Sequence, residues 1–292
     1  MPTLESLRFL TFLALLIFPV WAFPQPPSEP PSKVEFLTLP SKLFHNTRTI
    51  RVWLPPEYFD EKQKDRRYPV FYFTDGIAVF DGRELARIAL ELTRAGKIPP
   101  MIFVGIDNGG STRESKNPGS DRANEYLPFP DEFLQPPVAR PHGELFPAFL
   151  ENEVRPLVDK DYRTTQDAGL AGSSYGGAIA VYTAMENPGR YRWLLVESPS
   201  LYIANDELLH RAEKFRDWPG RVYIGAGTEE GTGDAKLEMV RDATRFAGLM
   251  GGKTSKCLVI VPGADHSENA WRARLPGALH FLLGNAGCPS DK

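Results

Sequence analysis

The sequence predicts an α/β fold with a mostly parallel sheet of eight strands, flanked by helices, and an antiparallel edge at its N-terminal side. Strand-like and helix-like segments alternate along most of the 292 residues, as they do in chains of β-α-β units. Later strands such as 258–261 are continuous apolar runs, which is typical of strands covered by helices on both faces. The link 40–47 is short and favours a hairpin between the first two strands.

Each predicted strand is a short run of mainly apolar residues. The eight strands are 34–39, 48–54, 68–73, 101–106, 168–171, 193–197, 221–226 and 257–261. The predicted helices are 82–95, 143–159, 177–184, 206–215, 234–250 and 268–283, and Pro156 is expected to kink the end of the second. The segment 107–141 has no clear periodicity, so we expect a long functional loop after the fourth strand.

The N-terminal segment differs from the rest of the chain. Residues 9–23 are almost wholly apolar, and Val20 and Ala22 place short side chains at the positions that a signal peptidase requires. The expected organisation is a signal peptide (1–22), a proline-rich linker (23–33), an enzymatic domain (34–285) and a C-terminal tail (286–292). We therefore expect export to the periplasm or outside the cell. The alternative is an uncleaved membrane anchor, because Glu5 weakens the positive charge before the apolar run.

Bulk properties exclude several classes of function. The net charge is −3 and no long basic run occurs, so no nucleic-acid surface is expected. No later apolar stretch is long enough for a membrane span. No metal site and no cofactor are expected, because neither histidine pairs at helical spacing nor a glycine-rich phosphate loop occurs. The two cysteines, Cys257 and Cys288, are compatible with a disulfide or with two free thiols. Oligomeric state is not predicted.

The most informative motif is Gly172-Ser173-Ser174-Tyr175-Gly176, which has the spacing G-x-S-x-G. A run of small and apolar residues, 168–171, precedes the motif, and a helix-like segment follows. This strand–turn–helix context is the one in which a serine nucleophile sits on a strained turn between small neighbours. Ser174 is therefore the predicted nucleophile, with an ordinary glycine-rich loop as the alternative.

A serine nucleophile needs a base, and histidine is the usual one. Four of the five histidines lie in the early hairpin, in the long loop or inside helices: His45, His142, His210 and His280. His266 follows the last strand on a loop, and in serine α/β hydrolases the chain order is serine, acid, histidine. His266 is therefore the predicted base.

The acid is expected on the loop 227–234, after the penultimate strand. Glu230 is preferred there, and Glu229 and Asp234 stay open as alternatives. Asp234 also suits the cap of the next helix, and Glu229 suits a solvated loop. The oxyanion hole needs two backbone N–H groups, for which Tyr175 and Ile77 are the candidates.

In these features the chain resembles the putative esterase (esterase D-like) family of α/β hydrolases, which includes siderophore esterases, feruloyl esterases and mycolyltransferases. The resemblance spans 34–283 and rests on motifs in order: 51–56 (RVWLPP), 75–76 (DG), 161–164 (DYRT), 172–177 (GSSYGG), 198–200 (SPS) and 266–268 (HSE) with Trp271. It implies an α/β-hydrolase fold, a triad of Ser174, His266 and an acid that its Gly-Thr-x-acid pattern places at Glu230, and oxyanion donors at Ile77 and Tyr175. Many relatives have Leu or Met where this chain has Tyr175.

The resemblance also places Arg122, followed by Glu125 and Tyr126, near the site; a salt bridge that holds the loop is the alternative for Arg122. Trp271 and Tyr126 are further candidates for contact with substrate, with packing as the alternative. The sequence thus predicts a secreted serine esterase that acts on a small-molecule ester through an acyl-enzyme. Acyl transfer to a sugar or alcohol, and a non-catalytic binding protein on a hydrolase scaffold, are the alternatives.

Overall fold

The structure is a computed structural model that describes residues 32–132, 134–138, 140–231 and 237–289. The proposed signal peptide and almost all of the linker lie outside the described residues. Eight strands form one sheet: β1 (Lys33–Ser41), β2 (Asn46–Leu54), β3 (Tyr68–Thr74), β4 (Ile102–Ile106), β5 (Thr164–Ser173), β6 (Trp193–Glu197), β7 (Arg221–Glu229) and β8 (Ser255–Asp265).

The strand order is β1-β2-β4-β3-β5-β6-β7-β8. β1 pairs antiparallel with β2, and β2 pairs antiparallel with β4, whereas the remaining neighbours are parallel. The predicted mostly parallel sheet with an antiparallel N-terminal edge is confirmed. β5 and β8 are longer than the apolar runs that predicted them, because backbone pairing continues into polar residues: β8 stays paired with β7 as far as Asp265.

Eight α-helices connect the strands in the described part of the chain: α1 (Leu85–Arg94), α2 (Pro118–Tyr126), α3 (Phe146–Phe149), α4 (Arg155–Asp161), α5 (Tyr175–Glu186), α6 (Ile203–Ala212), α7 (Glu238–Gly248) and α8 (Glu268–Leu283). A π-helical turn, Leu150–Val154, joins α3 to α4. Pro156 lies in the first turn of α4, where its missing N–H costs little, so the helix continues beyond it to Asp161.

The expectation of a structureless segment over 107–141 is wrong, because α2 lies within it. The helix has no apolar periodicity because its buried face carries a charge. The carboxylate of Glu125 is buried and lies 2.7 Å from the guanidinium of Arg48, whose side chain is fully buried. A buried ion pair therefore occupies a place where sequence reasoning looks for an apolar side chain.

The core consists of one apolar layer on each face of the sheet. β3 shows the division most clearly, because Val70 and Tyr72 face one layer whereas Phe71 and Phe73 face the other. This alternation follows from the two-residue period of a strand. The central strands are thereby held rigidly, and their carboxyl ends form a fixed edge for the loops that follow them. Among the helices of the described residues, none has the length and apolar character needed to cross a membrane.

A disulfide joins Cys257 on β8 to Cys288, which lies beyond the end of α8. Cys257 is buried, whereas Cys288 is exposed. The bond ties the C-terminal segment to an edge strand of the sheet, so of the two possibilities left open by the sequence the structure contains the bonded one.

Replacement of Cys288 by serine should lower the free energy of unfolding by about 3–4 kcal/mol, because the bond closes a loop with a separation of 31 residues. Urea unfolding of both proteins, with and without dithiothreitol, measures the effect. The reductant should destabilise the wild type and leave the variant unaffected. Equal stability of the oxidised wild type and the variant would contradict a stabilising role for the bond.

Candidate active site

Ser174 occupies the turn between β5, which ends at Ser173, and α5, which begins at Tyr175. Its φ of 56° and ψ of −128° are strained for a residue with a side chain. The turn closes only with glycine at both flanks: a Cβ at Gly172 would collide with the carbonyl of Gly176, and a Cβ at Gly176 would collide with Thr74. The backbone thus has the geometry that a nucleophile elbow requires.

Glu230 and His266 approach each other from the ends of β7 and β8. The distance between Glu230 Oε2 and His266 Nδ1 is 3.1 Å. The Glu230 side chain is fully buried, whereas the imidazole is 29% exposed. Within the described residues, Glu230 is thus the candidate acid that contacts the imidazole. Glu229 pairs across the sheet with Asp265, and Asp234 lies outside the described residues.

Two further groups hold the carboxylate of Glu230. Its Oε1 accepts a hydrogen bond from Ser198 Oγ at 2.6 Å and another from the backbone N–H of Gly227 at 2.5 Å. Three hydrogen bonds thus fix the carboxylate, and its second oxygen points at Nδ1 of the imidazole. With Nδ1 engaged, Nε2 is the nitrogen left to take a proton from a hydroxyl.

The hydroxyl of Ser174 lies 3.5 Å from Ser200 Oγ. Within the described residues it makes no hydrogen bond to His266. A hydroxyl turns about χ1 at little cost, and such bonds are often long before substrate binds. The elements that carry the serine, the imidazole and the carboxylate nevertheless meet at one edge of the sheet, in the chain order predicted from the sequence.

The two predicted oxyanion donors differ in their surroundings. Tyr175 is the first residue of α5, so its N–H has no acceptor within the helix and lies at the positive end of the helix dipole. Ile77 follows Gly76 in the turn after β3, and its N–H also interacts with the buried carboxylate of Asp107. Burial raises the pKa of Asp107, and the Arg51 guanidinium and this N–H oppose that rise. An oxyanion at the Ile77 N–H would therefore compete with the Asp107 carboxylate, whereas at the Tyr175 N–H it would compete with no acceptor of the helix.

Arg122 and Tyr126 both converge on Asp75. The guanidinium of Arg122 donates two hydrogen bonds of 2.7 Å to the Asp75 carboxylate. The Tyr126 hydroxyl accepts a hydrogen bond from the Asp75 N–H at 3.0 Å, and its side chain is fully buried. Burial raises the pKa of Tyr126 well above its usual value. This placement suits residues that hold the turn after β3. For Arg122, it favours the salt-bridge interpretation over contact with substrate.

Trp271 lies against the imidazole and is nearly buried. Its ring meets the His266 ring edge to face, with 4.9 Å between centroids. Its Nε1 donates to Ser198 Oγ at 2.9 Å, and the Ser198 hydroxyl in turn donates to Glu230. Trp271 therefore contacts the imidazole directly and the carboxylate through one hydroxyl. The sequence predicted no individual role for Ser198, because a buried serine with a φ of 46° has no sequence signature.

Replacement of Trp271 by phenylalanine should lower kcat for an ester substrate by roughly 3- to 10-fold and change KM little, because the ring remains but Ser198 loses its donor. Trp218→Phe is the matched control: Trp218 is buried and its Nε1 has no partner among the described residues. Steady-state kinetics of both variants give the answer. An equal loss of kcat in the two would show a general packing effect instead.

A second buried carboxylate, Glu197 at the end of β6, lies behind Glu230. Burial raises its pKa to about 7, and the Arg274 guanidinium, which donates to Oε2 at 2.8 Å, opposes that rise. Arg274 Nη2 also lies 3.9 Å from Glu230 Oε1. Neither Glu197 nor Arg274 was singled out from the sequence, because both sit within ordinary strand and helix patterns.

Between the ordinary value of 4.5 and about 7, the folded chain holds a proton on Glu197 that the unfolded chain has lost. Stability from this group therefore falls as the pH rises through that window. We expect the free energy of unfolding of the wild type, relative to Glu197→Gln, to decline from pH 4.5 to pH 7. Urea unfolding of both proteins at a series of pH values tests this expectation. A difference between their free energies of unfolding that did not change with pH would contradict it.

Comparison with known proteins gives consistent matches. The family model described as Putative esterase matches residues 41–282. The siderophore triacetylfusarinine C esterase of Aspergillus fumigatus is 29% identical over 171 residues, which cover 55% of this chain and 54% of that protein. The iron(III) enterobactin esterase of Dickeya dadantii is 26% identical over 257 residues, which cover 76% of this chain and 53% of that protein. The chain thus spans about half the length of these two curated relatives.

The likeness extends to solved structures. The crystal structure of an IroE-like serine hydrolase from Shewanella oneidensis matches with a TM-score of 0.70 at 22% identity, over 86% of this chain and 80% of that chain. At this level of identity the likeness concerns the fold, which is that of the α/β hydrolases.

Proposed function

The chain belongs to the Putative esterase family, and from this premise we propose that it is a serine hydrolase of small-molecule carboxylic esters. The observation that carries the proposal is the hydrogen bond between Glu230 and His266, at the same edge of the sheet as the strained turn of Ser174. A buried carboxylate fixed on Nδ1 of an imidazole, next to a serine at a strand-to-helix turn, is an arrangement that activates a hydroxyl.

In the first half of the reaction, Ser174 Oγ attacks the ester carbonyl carbon while Nε2 of His266 takes the hydroxyl proton. The carbonyl oxygen becomes negative and is held by the N–H groups of Tyr175 and Ile77. Collapse of this intermediate breaks the bond to the alcohol oxygen, which receives the proton from His266. The products of this half are the free alcohol and an ester of Ser174.

In the second half, His266 takes a proton from a water molecule, and the resulting hydroxide attacks the acyl carbon. The bond to Ser174 Oγ breaks, the proton returns to the serine, and the free acid leaves. The Glu230 carboxylate stabilises the imidazolium that forms twice in each cycle. Ser198 and Gly227 support this role, because their hydrogen bonds hold the carboxylate in place beside Nδ1.

Two further parts of the proposal concern place and substrate. The apolar segment before Ala22 and the Cys257–Cys288 disulfide support export to an oxidising compartment. The names of the two curated relatives point to siderophore esters, so we propose that siderophore esters belong to the substrate class of this chain.

The test is turnover of p-nitrophenyl acetate and butyrate by the purified chain, with p-nitrophenol and the free acid both quantified. Equal amounts of the two products are expected, because water resolves the acyl-enzyme. Addition of sugar or alcohol acceptors should leave this ratio near one. Capture of most acyl groups by an acceptor would replace hydrolysis by acyl transfer, and no turnover above the buffer rate would overturn the proposal.

A further inference from the structure

A cavity of about 480 Å³ opens beside the nucleophile elbow. Its volume is typical of pockets that bind small molecules. Tyr175, the residue after Ser174, forms part of its wall, and the rest comes from α2 with the residue before it, and from the segment 134–138. The cavity therefore reaches the residue that directly follows Ser174 in the chain.

The chemistry of the wall is uncharged. Its polar side chains are three amides and two hydroxyls, namely those of Asn117, Asn124, Gln135, Ser120 and Tyr175. In the described part of the chain these side chains have no hydrogen-bond partner, so they can both donate to and accept from a ligand. The apolar part of the wall is contributed by Ala123, Leu134, Pro136, Pro137 and Val138.

The cation of Arg122 does not change this character. The Arg122 guanidinium lies 5.7 Å from the centroid of the Tyr175 ring, but both of its hydrogen bonds of 2.7 Å go to the carboxylate of Asp75. A carboxylate that entered the cavity would lose water without gaining a positive partner among the described residues of the wall, which is costly. An amide or hydroxyl would exchange its water for the free amides of the wall.

The sheet order decides which half of the ester the cavity receives. α2 follows β4, which lies on one side of β5 in the sheet. His266 follows β8, which lies on the other side of β5 and forms an edge of the sheet. The leaving alcohol takes its proton from His266 and so must lie on the β8 side of Ser174. The acyl group then extends to the other side, toward α2 and the cavity.

We propose that this cavity is the acyl-binding pocket and that it selects esters whose acyl chain carries an uncharged hydrogen-bonding group, such as an amide, and rejects acyl chains that end in a carboxylate. The inference rests on the proposed function, since it names the substrate class of the same site. Asn124 on α2 is the residue chosen for the test, because it is half-buried, whereas the other two amide residues of the wall, Asn117 and Gln135, are exposed.

The test compares two p-nitrophenyl esters of equal length, the adipamate, which ends in an amide, and the hydrogen adipate, which ends in a carboxylate. The wild type should show a kcat/KM for the adipamate that exceeds that for the adipate by about tenfold or more. Asn124→Leu should reduce this ratio, and Asn124→Lys, which supplies a cation, should bring it below one. Asn152→Lys, on the turn Leu150–Val154 and away from the cavity wall, is the matched control and should keep the wild-type ratio.

p-Nitrophenyl acetate, whose acyl group is too short to fill the cavity, separates the two possible failures. If the acetate is not hydrolysed, the proposed function itself fails. If the acetate is hydrolysed but the adipamate and the adipate react equally well, or the Asn124 variants keep the wild-type ratio, the pocket assignment is overturned while the esterase function stands.

Discussion

Ser174→Ala is expected to lower kcat for p-nitrophenyl acetate by at least about 10³-fold, because the change removes the hydroxyl on which the proposed acyl-enzyme forms. The fold should persist, since alanine keeps the Cβ that the strained turn already accommodates. Steady-state kinetics, together with circular dichroism and a thermal unfolding curve, measure both effects.

The matched control is Ser200→Ala. Ser200 Oγ lies 3.5 Å from Ser174 Oγ and is buried, so it is the neighbouring hydroxyl that could be mistaken for the nucleophile. We expect Ser200→Ala to retain at least about a tenth of the activity, because the Ser200 hydroxyl makes only a weak contact to Ser174 and its other hydrogen bond is to Tyr202. A loss in Ser200→Ala as large as that in Ser174→Ala, with both proteins folded, would remove the distinction between the two serines.

Glu230→Gln is expected to lower kcat by about 10³- to 10⁴-fold with little change in KM. The amide keeps the size of the side chain but no longer stabilises the imidazolium, and it can hold the imidazole in the wrong tautomer. Loss of a negative charge that three hydrogen bonds stabilise should be felt in the chemical step, not in binding.

Glu229→Gln provides the comparison, because it changes the adjacent carboxylate, which is exposed, in the same way. Its kcat should stay within about threefold of the wild type, as expected for an exposed side chain. If Glu229→Gln were the more damaging change, the acid would have been assigned to the wrong residue of the loop.

The sequence predicted those parts of the fold that depend on apolar periodicity. All eight strands lie where their apolar runs indicated. The signal is plainest for β3, β4 and β6, because these strands are buried on both faces. α2 was missed because its buried face carries Glu125, whose burial depends on Arg48 from a distant strand. Two charges that pair only in the folded chain leave no periodic pattern in either segment.

The residues of the site likewise fall into those that the sequence predicted and those that it did not. Ser174, Glu230 and His266 could be proposed because each follows a recognisable strand, and parallel strands bring their carboxyl ends to one edge. Ser198, Glu197 and Arg274 could not, because their importance lies in contacts made through space with Glu230 and Trp271. The positions of Tyr126 and Arg122 around Asp75 likewise depend on where α2 packs, which the sequence pattern did not contain.

The most direct test of the central claim is to trap the nucleophile covalently. Treatment with an aryl phosphate such as diethyl p-nitrophenyl phosphate, followed by peptide mass spectrometry, identifies the residue that carries the diethylphosphoryl group. We predict one label, on Ser174, that forms in step with the loss of esterase activity and much more slowly in Glu230→Gln. Inactivation with the label on Ser200 or elsewhere, or labelling of Ser174 without loss of activity, would contradict the assignment of Ser174 as the nucleophile.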